Sequence, residues 1–191
     1  MIHHTKENKL EIAYELESFL FLKKRTIFLT GKITTDLSTT IIQQILYLSD
    51  QNKEAIKLYI NSPGGNISAG LAIYDTLKNC GCEIVTICTG ISAGIATVLL
   101  ASGNYGKRYC LSHSMTTLYL SNDHAENPIM DIELQAKQLQ QIKQFVNTLF
   151  TEVTGQCIEK INIDTTLNQY MTAEQAKQYG IVDHISLNEI H

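Results

Sequence analysis

Two glycine-rich turns, each directly after a predicted strand, are the features of this sequence best suited to chemistry. The first spans residues 61–65 (Asn-Ser-Pro-Gly-Gly) and the second spans residues 90–94 (Gly-Ile-Ser-Ala-Gly). In open α/β sheets, ligands bind beyond the carboxyl ends of the strands, and backbone N–H groups in such turns can stabilise an oxyanion. Glycine also serves tight strand-to-helix packing. Each turn taken alone is therefore a weak signal.

The elements that must position these turns follow from hydrophobic periodicity. Short apolar runs alternate with segments of helical period, which predicts an α/β fold with a parallel-rich sheet and right-handed crossovers. The predicted strands are 26–30, 56–60, 83–88, 107–111, 115–120 and 181–182. The predicted helices are 13–22, 35–49, one that follows 61–65 and ends near 79, then 92–101, 129–153 and 172–180.

Apolar faces and capping residues support three of these predicted helices. Apolar side chains share one face of helix 35–49 (Leu37, Ile41, Ile45, Leu48) and one face of the long helix (Leu139, Ile142, Val146, Leu149, Val153). The opposite face of the long helix is rich in Gln and Lys, which fits a projecting helix and an ordinary solvated face equally well. Gly155 is placed to cap its C-terminus. Residues 172–175 (Thr-Ala-Glu-Gln) read as a capping box.

Composition excludes several classes of protein. The chain has 191 residues, 44% hydrophobic and 18% charged, which indicates one globular domain. The net charge is −4 and no Lys/Arg run exists, so no nucleic-acid partner is expected. The longest apolar run, residues 95–101, is too short to span a bilayer, so no membrane partner is expected.

The five cysteines indicate a reducing compartment. Their number is odd and residues 1–8 contain no apolar signal segment. Cys80 and Cys82 have no second Cys/His pair at ligand spacing, which favours ordinary thiols over a metal site. The sequence thus predicts no metal and no cofactor, and a cytoplasmic or organelle stroma or matrix location.

Taken together with their flanks, the two turns belong to a longer pattern that closely resembles the Clp protease proteolytic subunit. The segments that carry the resemblance are 59–65 (YINSPGG), 69–76 (AGLAIYDT), 106–109 (GKRY), 131–133 (DIE) and 171–180 (MTAEQAKQYG). It extends from about residue 25 to residue 183. The resemblance implies a ClpP/crotonase-like fold of repeated β-β-α-type units with a projecting long helix, and an N-terminal segment 1–24 before a single domain 25–191.

Members of that family are serine peptidases with a Ser-His-Asp triad, assembled as stacked seven-membered rings around a chamber fed by an ATP-driven unfoldase. The nucleophile motif matches residues 90–96 and places Gly94 at the serine position. The histidine motif matches residues 117–121 and places Tyr119 at the base position. Only the acid is retained, as Asp164, and it is expected to orient nothing. The oxyanion donors correspond to the backbone N–H groups of Gly65 and Ile95.

These replacements predict a subunit that does not cut peptides alone. Glycine has no side chain with which to form an acyl-enzyme, and phenols keep their proton near neutrality, so Tyr119 is a poor base. The leading interpretation is an inactive or regulatory ring subunit, in a homo-oligomer or with an active sister subunit. One alternative is an active peptidase with a relocated nucleophile such as Ser92, which otherwise caps the helix that follows. Another is a crotonase-like protein that binds acyl thioesters.

Two further segments depart from the family pattern. Residues 120–129 carry Pro128 and several charged or titratable groups, which disfavour pairing as a flat strand. In the aromatic pocket that docks the unfoldase, Tyr59 fits, whereas Lys57 and Asn79 replace expected aromatic residues. Docking of an AAA+ unfoldase thus stays open.

Overall fold

Among the residues that the structure describes, all five pairings between strands are parallel. In a computed structural model, which describes residues 20–119, 132–167 and 170–186, the strands are β1 (Thr26–Thr30), β2 (Ile56–Ser62), β3 (Ile84–Ala93), β4 (Arg108–Cys110), β5 (Met115–Thr117) and β6 (His184–Ile185). Their order is β1-β2-β3-β4-β6. β3 pairs with β4 along its first half and with β5 along its second half. The predicted α/β class with a parallel sheet is confirmed.

Helices follow most of the strands. They are α1 (Thr35–Gln51), α2 (Ile67–Asn79), α3 (Ile95–Ala101), α4 (Ile132–Thr154), α5 (Ile158–Asp164) and α6 (Ala173–Tyr179). The predicted capping box at the start of α6 is confirmed, because the Thr172 and Gln175 side chains accept each other's backbone N–H groups. Gly180 ends that helix in the left-handed conformation.

The main core lies between the helices and one face of the sheet. Side chains along β2 alternate between buried and more exposed positions, as in a half-buried strand, and Ile56, Leu58 and Ile60 are buried. In α1 the predicted apolar face is confirmed, since Ile41, Ile45 and Leu48 are buried and Leu37 packs beside them. In α4, Val146 and Leu149 are buried as predicted, Ile142 and Val153 are partly buried, and the side chain of Leu139 lies outside the described residues.

Three element predictions were wrong. The helix predicted from residue 92 begins at Ile95, because Ser92 and Ala93 still pair with β5. The last strand is His184–Ile185 rather than 181–182, since Ile181 and Val182 belong to the buried core instead. Helix α5 was not predicted, because its seven residues are too short for a periodic signal.

Some predictions fall on residues that the structure does not describe. The altered segment 120–129 lies outside the described residues, as does most of the predicted helix 13–22. Within the described ranges, no helix is long and apolar enough to cross a membrane.

Candidate functional site

Gly94 forms a sharp turn between β3 and α3. Its backbone lies at φ 55° and ψ −123°, a region that glycine enters readily and other residues occupy only under strain. Its N–H donates to Thr117 O at 3.0 Å, and its carbonyl accepts from Thr97 N at 2.9 Å. Hydrogen bonds to both its N–H and its carbonyl therefore fix the turn. Position 94 lies between the last residue of β3 and the first residue of α3.

Thr117 places Tyr119 beside this turn. It is the Cα partner of Ala93, its carbonyl accepts the Gly94 N–H, and its hydroxyl accepts the Tyr119 N–H at 3.2 Å. Leu118 is buried, whereas Tyr119 is 37% exposed. Thr117 thus connects Gly94 to Tyr119 through hydrogen bonds from their backbone N–H groups, and these are the two positions that the sequence predicted as nucleophile and base.

The first glycine turn packs against the second. A Cβ on Gly64 would lie 2.6 Å from Ala93 O and 3.8 Å from Ile95 N, so only glycine allows this approach. Ile33 fixes the other side of the first turn through two backbone hydrogen bonds. Its N–H donates to Gly64 O at 2.7 Å, and its carbonyl accepts from Asn66 N at 2.9 Å, so the residues on both sides of Gly65 are held. The assignment of Gly65 and Ile95 as oxyanion donors stays a prediction, which this close approach supports.

Replacing Gly65 by alanine is expected to destabilise the protein by about 2–6 kcal/mol. The new Cβ would lie 2.4 Å from Ile33 O, at a φ of +145°; such overpacking and backbone strain each cost roughly 1–3 kcal/mol. Gly31→Ala is the matched control, because Gly31 also has positive φ but open space around it. Denaturant unfolding should give a loss of about 1–2 kcal/mol for the control, from the left-handed backbone conformation alone. Equal losses would contradict the steric explanation.

α2 positions Ile95 through a glycine. A Cβ on Gly70 would meet the Ile95 side chain at 2.3 Å, so the small residue lets α2 pack directly on the first turn of α3. Ile95 is 1% exposed. The backbone N–H at the start of α3 is therefore held by packing from a second helix.

Asp164, at the end of α5, has a partner that the sequence did not reveal. Its carboxylate accepts a hydrogen bond from the Tyr179 hydroxyl at 2.6 Å. The pKa of Tyr179 is raised, first by burial and then by the hydrogen bond and charge of Asp164. The expectation that Asp164 orients nothing was wrong. Residues 164 and 179 belong to different helices, and no local pattern predicts that contact.

The Asp164–Tyr179 pair lines a cavity of about 330 Å³. Leu118, the residue before Tyr119 in the sequence, and Met171 also line it. Lys160 Nζ lies 4.0 Å from the centre of the Tyr179 ring. Asp164 thus shares this cavity with Leu118 and is bound to a phenol from α6.

Ser92 is unsuited to attack a peptide. It is 0% exposed and is paired with Ser62 on one side and Thr116 on the other. Its hydroxyl makes no hydrogen bond to any residue that the structure describes. The expectation that Ser92 caps the following helix was wrong, because the N-cap residue is Gly94.

Comparison with known proteins identifies the family. A sequence model of the Clp protease family matches residues 8–189. The chain belongs to the Clp protease family. Its fold is similar to that of the ClpP protease catalytic domain from Plasmodium falciparum, with a TM-score of 0.82 and 35% sequence identity over 92% of each chain.

Which residues correspond to the triad rests on the matched motifs, so Gly94, Tyr119 and Asp164 remain predicted equivalents. The domain limits 1–24 and 25–191 also remain predictions.

Proposed function

We propose that this chain is a non-catalytic subunit of a Clp-type ring protease, which assembles with a catalytically active sister subunit. The observation that carries the proposal is the turn at Gly94. A tight strand-to-helix turn is the geometry that exposes a nucleophile in serine hydrolases, and here the residue at its apex has no side chain. A covalent acyl-enzyme at this position requires an oxygen that the chain does not supply.

The residues around the turn support the same proposal. Tyr119 offers a phenol where the general base is expected, and the Asp164 carboxylate accepts from Tyr179. The relocated-nucleophile alternative is disfavoured by the complete burial of Ser92. Membership of the Clp protease family favours a ring-protease role over acyl-thioester binding.

An aromatic cluster on the outer face of the sheet supports docking of an AAA+ unfoldase. Phe28 stacks on Tyr59 with ring centres 5.4 Å apart, and Phe21 meets Phe28 edge-on at 5.1 Å. Phe21 and Phe28 remain 42% and 41% exposed. Half-exposed aromatic rings are typical of interface anchors. These rings provide aromatic surface for docking, which Lys57 does not.

All five cysteines are free. Free thiols are typical of reducing compartments, which supports a cytoplasmic or organelle stroma or matrix location for the proposed complex.

Native mass spectrometry tests the assembly. The chain is co-expressed with an active Clp-type subunit from the same cell, and we expect rings that contain both chains. Each subunit expressed alone is the control, and their separate oligomers define the masses of unmixed rings. Finding only those unmixed masses in the co-expressed sample would remove the proposal of a shared ring.

A further inference from the structure

Cys88 and Cys110 lie opposite each other on adjacent parallel strands. They are Cα partners in the pairing of β3 with β4, and Leu111 N donates to Cys88 O at 3.0 Å directly beside them. Both side chains are 0% exposed and belong to the main core. No step of the proposed function uses either thiol.

The register brings the two sulfur atoms together. Partner residues in adjacent strands project to the same face of the sheet, and neighbouring strands lie about 4.8 Å apart. Disulfides join residues whose Cα atoms are roughly 4.4–6.8 Å apart. The strand register therefore gives Cys88 and Cys110 the Cα spacing that a disulfide requires.

The surroundings give the two thiols different roles. The neighbouring Cys110 thiol lowers the pKa of Cys88, against the opposing effect of burial, and the Gly90 N–H and the Ser114 hydroxyl contribute. The pKa of Cys110 is raised by the neighbouring Cys88, by burial and by the charge of Glu174. Cys88 is thus the more readily ionised thiol of the pair.

We propose that Cys88 and Cys110 form a peroxide-sensitive dithiol that closes to a disulfide between β3 and β4. The Cys88 thiolate attacks one oxygen of hydrogen peroxide, the O–O bond breaks, and the departing hydroxide takes the Cys110 proton to become water. The Cys110 thiolate then attacks the Cys88 sulfenic sulfur, and the second oxygen leaves as hydroxide and is protonated to water. Two thiols and one peroxide give one disulfide and two waters.

Because both thiols are fully buried, only a small and uncharged oxidant can reach them. Hydrogen peroxide is uncharged and close to water in size, whereas oxidised glutathione is large and charged and cannot reach a fully buried pair. Disulfide formation would constrain the candidate site, because β3 is followed by Gly94 and the segment after β4 continues to Tyr119. The disulfide links these two segments covalently. This inference does not depend on the proposed loss of catalysis.

Peptide mapping by mass spectrometry tests the proposal. The reduced, full-length protein is treated with hydrogen peroxide, unfolded, alkylated and digested. We expect a Cys88–Cys110 cross-linked peptide that lacks two hydrogens and reverts with dithiothreitol. Oxidised glutathione should produce no such peptide from the folded protein, although it should modify Cys157, which is exposed.

Cys110→Ser is the diagnostic variant. It removes the resolving thiol, so Cys88 should stop at sulfenic acid and be labelled when the peroxide-treated protein is unfolded in the presence of dimedone, while Cys88→Ser should take no label at that position. In the wild-type protein, cross-linking should be faster at pH 8 than at pH 6, because the thiolate is the nucleophile and its population rises with pH. Recovery of both wild-type thiols in alkylated form after peroxide treatment would overturn the proposal, even if a variant failed to fold.

Discussion

The chain purified alone is expected to hydrolyse a fluorogenic peptide at least about a million times more slowly than an active Clp-type subunit, and to take no fluorophosphonate label. Loss of the serine alone costs about 2 × 10⁶ in kcat in a subtilisin triad. Here both Gly94 and Tyr119 lack the required groups. A preparation that hydrolyses the peptide and is stopped by a serine-directed inhibitor would contradict this expectation.

Restoring the nucleophile alone should not restore hydrolysis. Gly94→Ser supplies the hydroxyl but leaves a phenol at position 119, whereas Gly94→Ser with Tyr119→His supplies both groups and should give detectable turnover. The Tyr179 hydroxyl binds one carboxylate oxygen of Asp164, which leaves the other free to accept from a histidine at position 119. Gly94→Ala with Tyr119→His is the matched control, since it has the same backbone strain and no nucleophile.

These variants also carry a stability cost that must be measured beside activity. Any side chain at position 94 must adopt φ 55° and ψ −123°, and such conformations cost roughly 1–3 kcal/mol. Gly94→Ser and Gly94→Ala should therefore lose similar amounts of unfolding free energy. Robust hydrolysis by Gly94→Ser alone would show that the base lies elsewhere than position 119.

Replacing Arg108 by methionine is expected to destabilise the protein by about 3–5 kcal/mol, because it leaves a buried carboxylate without its cation. Arg108 binds Asp183 through two nitrogens, at 2.6 and 2.9 Å. Its third nitrogen donates to the carbonyl oxygens of Val153 and Gly180, at 2.7 and 3.0 Å. The side chains of Arg108 and Asp183 are only 6% and 12% exposed. One guanidinium thus joins β4 to the ends of α4 and α6.

The adjacent residue provides the control. Lys107 pairs with Glu83, but the two side chains are 40% and 43% exposed, so Lys107→Met should cost no more than about 1 kcal/mol. Denaturant unfolding of both variants and the wild type measures the difference. A loss for Arg108→Met no larger than that for Lys107→Met would contradict the role assigned to the buried pair.

The difference between wild type and Arg108→Met should depend on pH. Burial alone raises the pKa of Asp183, but the Arg108 hydrogen bond and charge, with the N–H groups of Arg108 and Gly106, outweigh it and hold the pKa below its ordinary value. A carboxyl with a lowered folded-state pKa stabilises the fold above its unfolded pKa of about 4 and loses that contribution as pH falls through the folded value. The stability difference should therefore be larger at pH 7 than at pH 3, because protonation of Asp183 removes the charge that Arg108 stabilises.

The amino-acid sequence by itself determined much of the fold, because the relevant signals are local. Alternating side chains in β2, the apolar face of α1 and the Thr172–Gln175 capping box each depend on residues within a few positions of one another. The same is true of the motifs that indicate the family. The absence of a hydroxyl at position 94 and of an imidazole at position 119 can be read directly from the chain.

Only the tertiary structure decided how distant residues meet. Pairing with β5 extends β3 through Ser92 and buries that hydroxyl, although the local sequence favours a helix start there. The partner of Asp164 is Tyr179 on another helix, and Cys88 faces Cys110 because of strand register. Hydrophobic periodicity specifies which face of an element is buried, but it does not specify which residue of another element lies against it. That depends on the packing of the whole sheet and its helices.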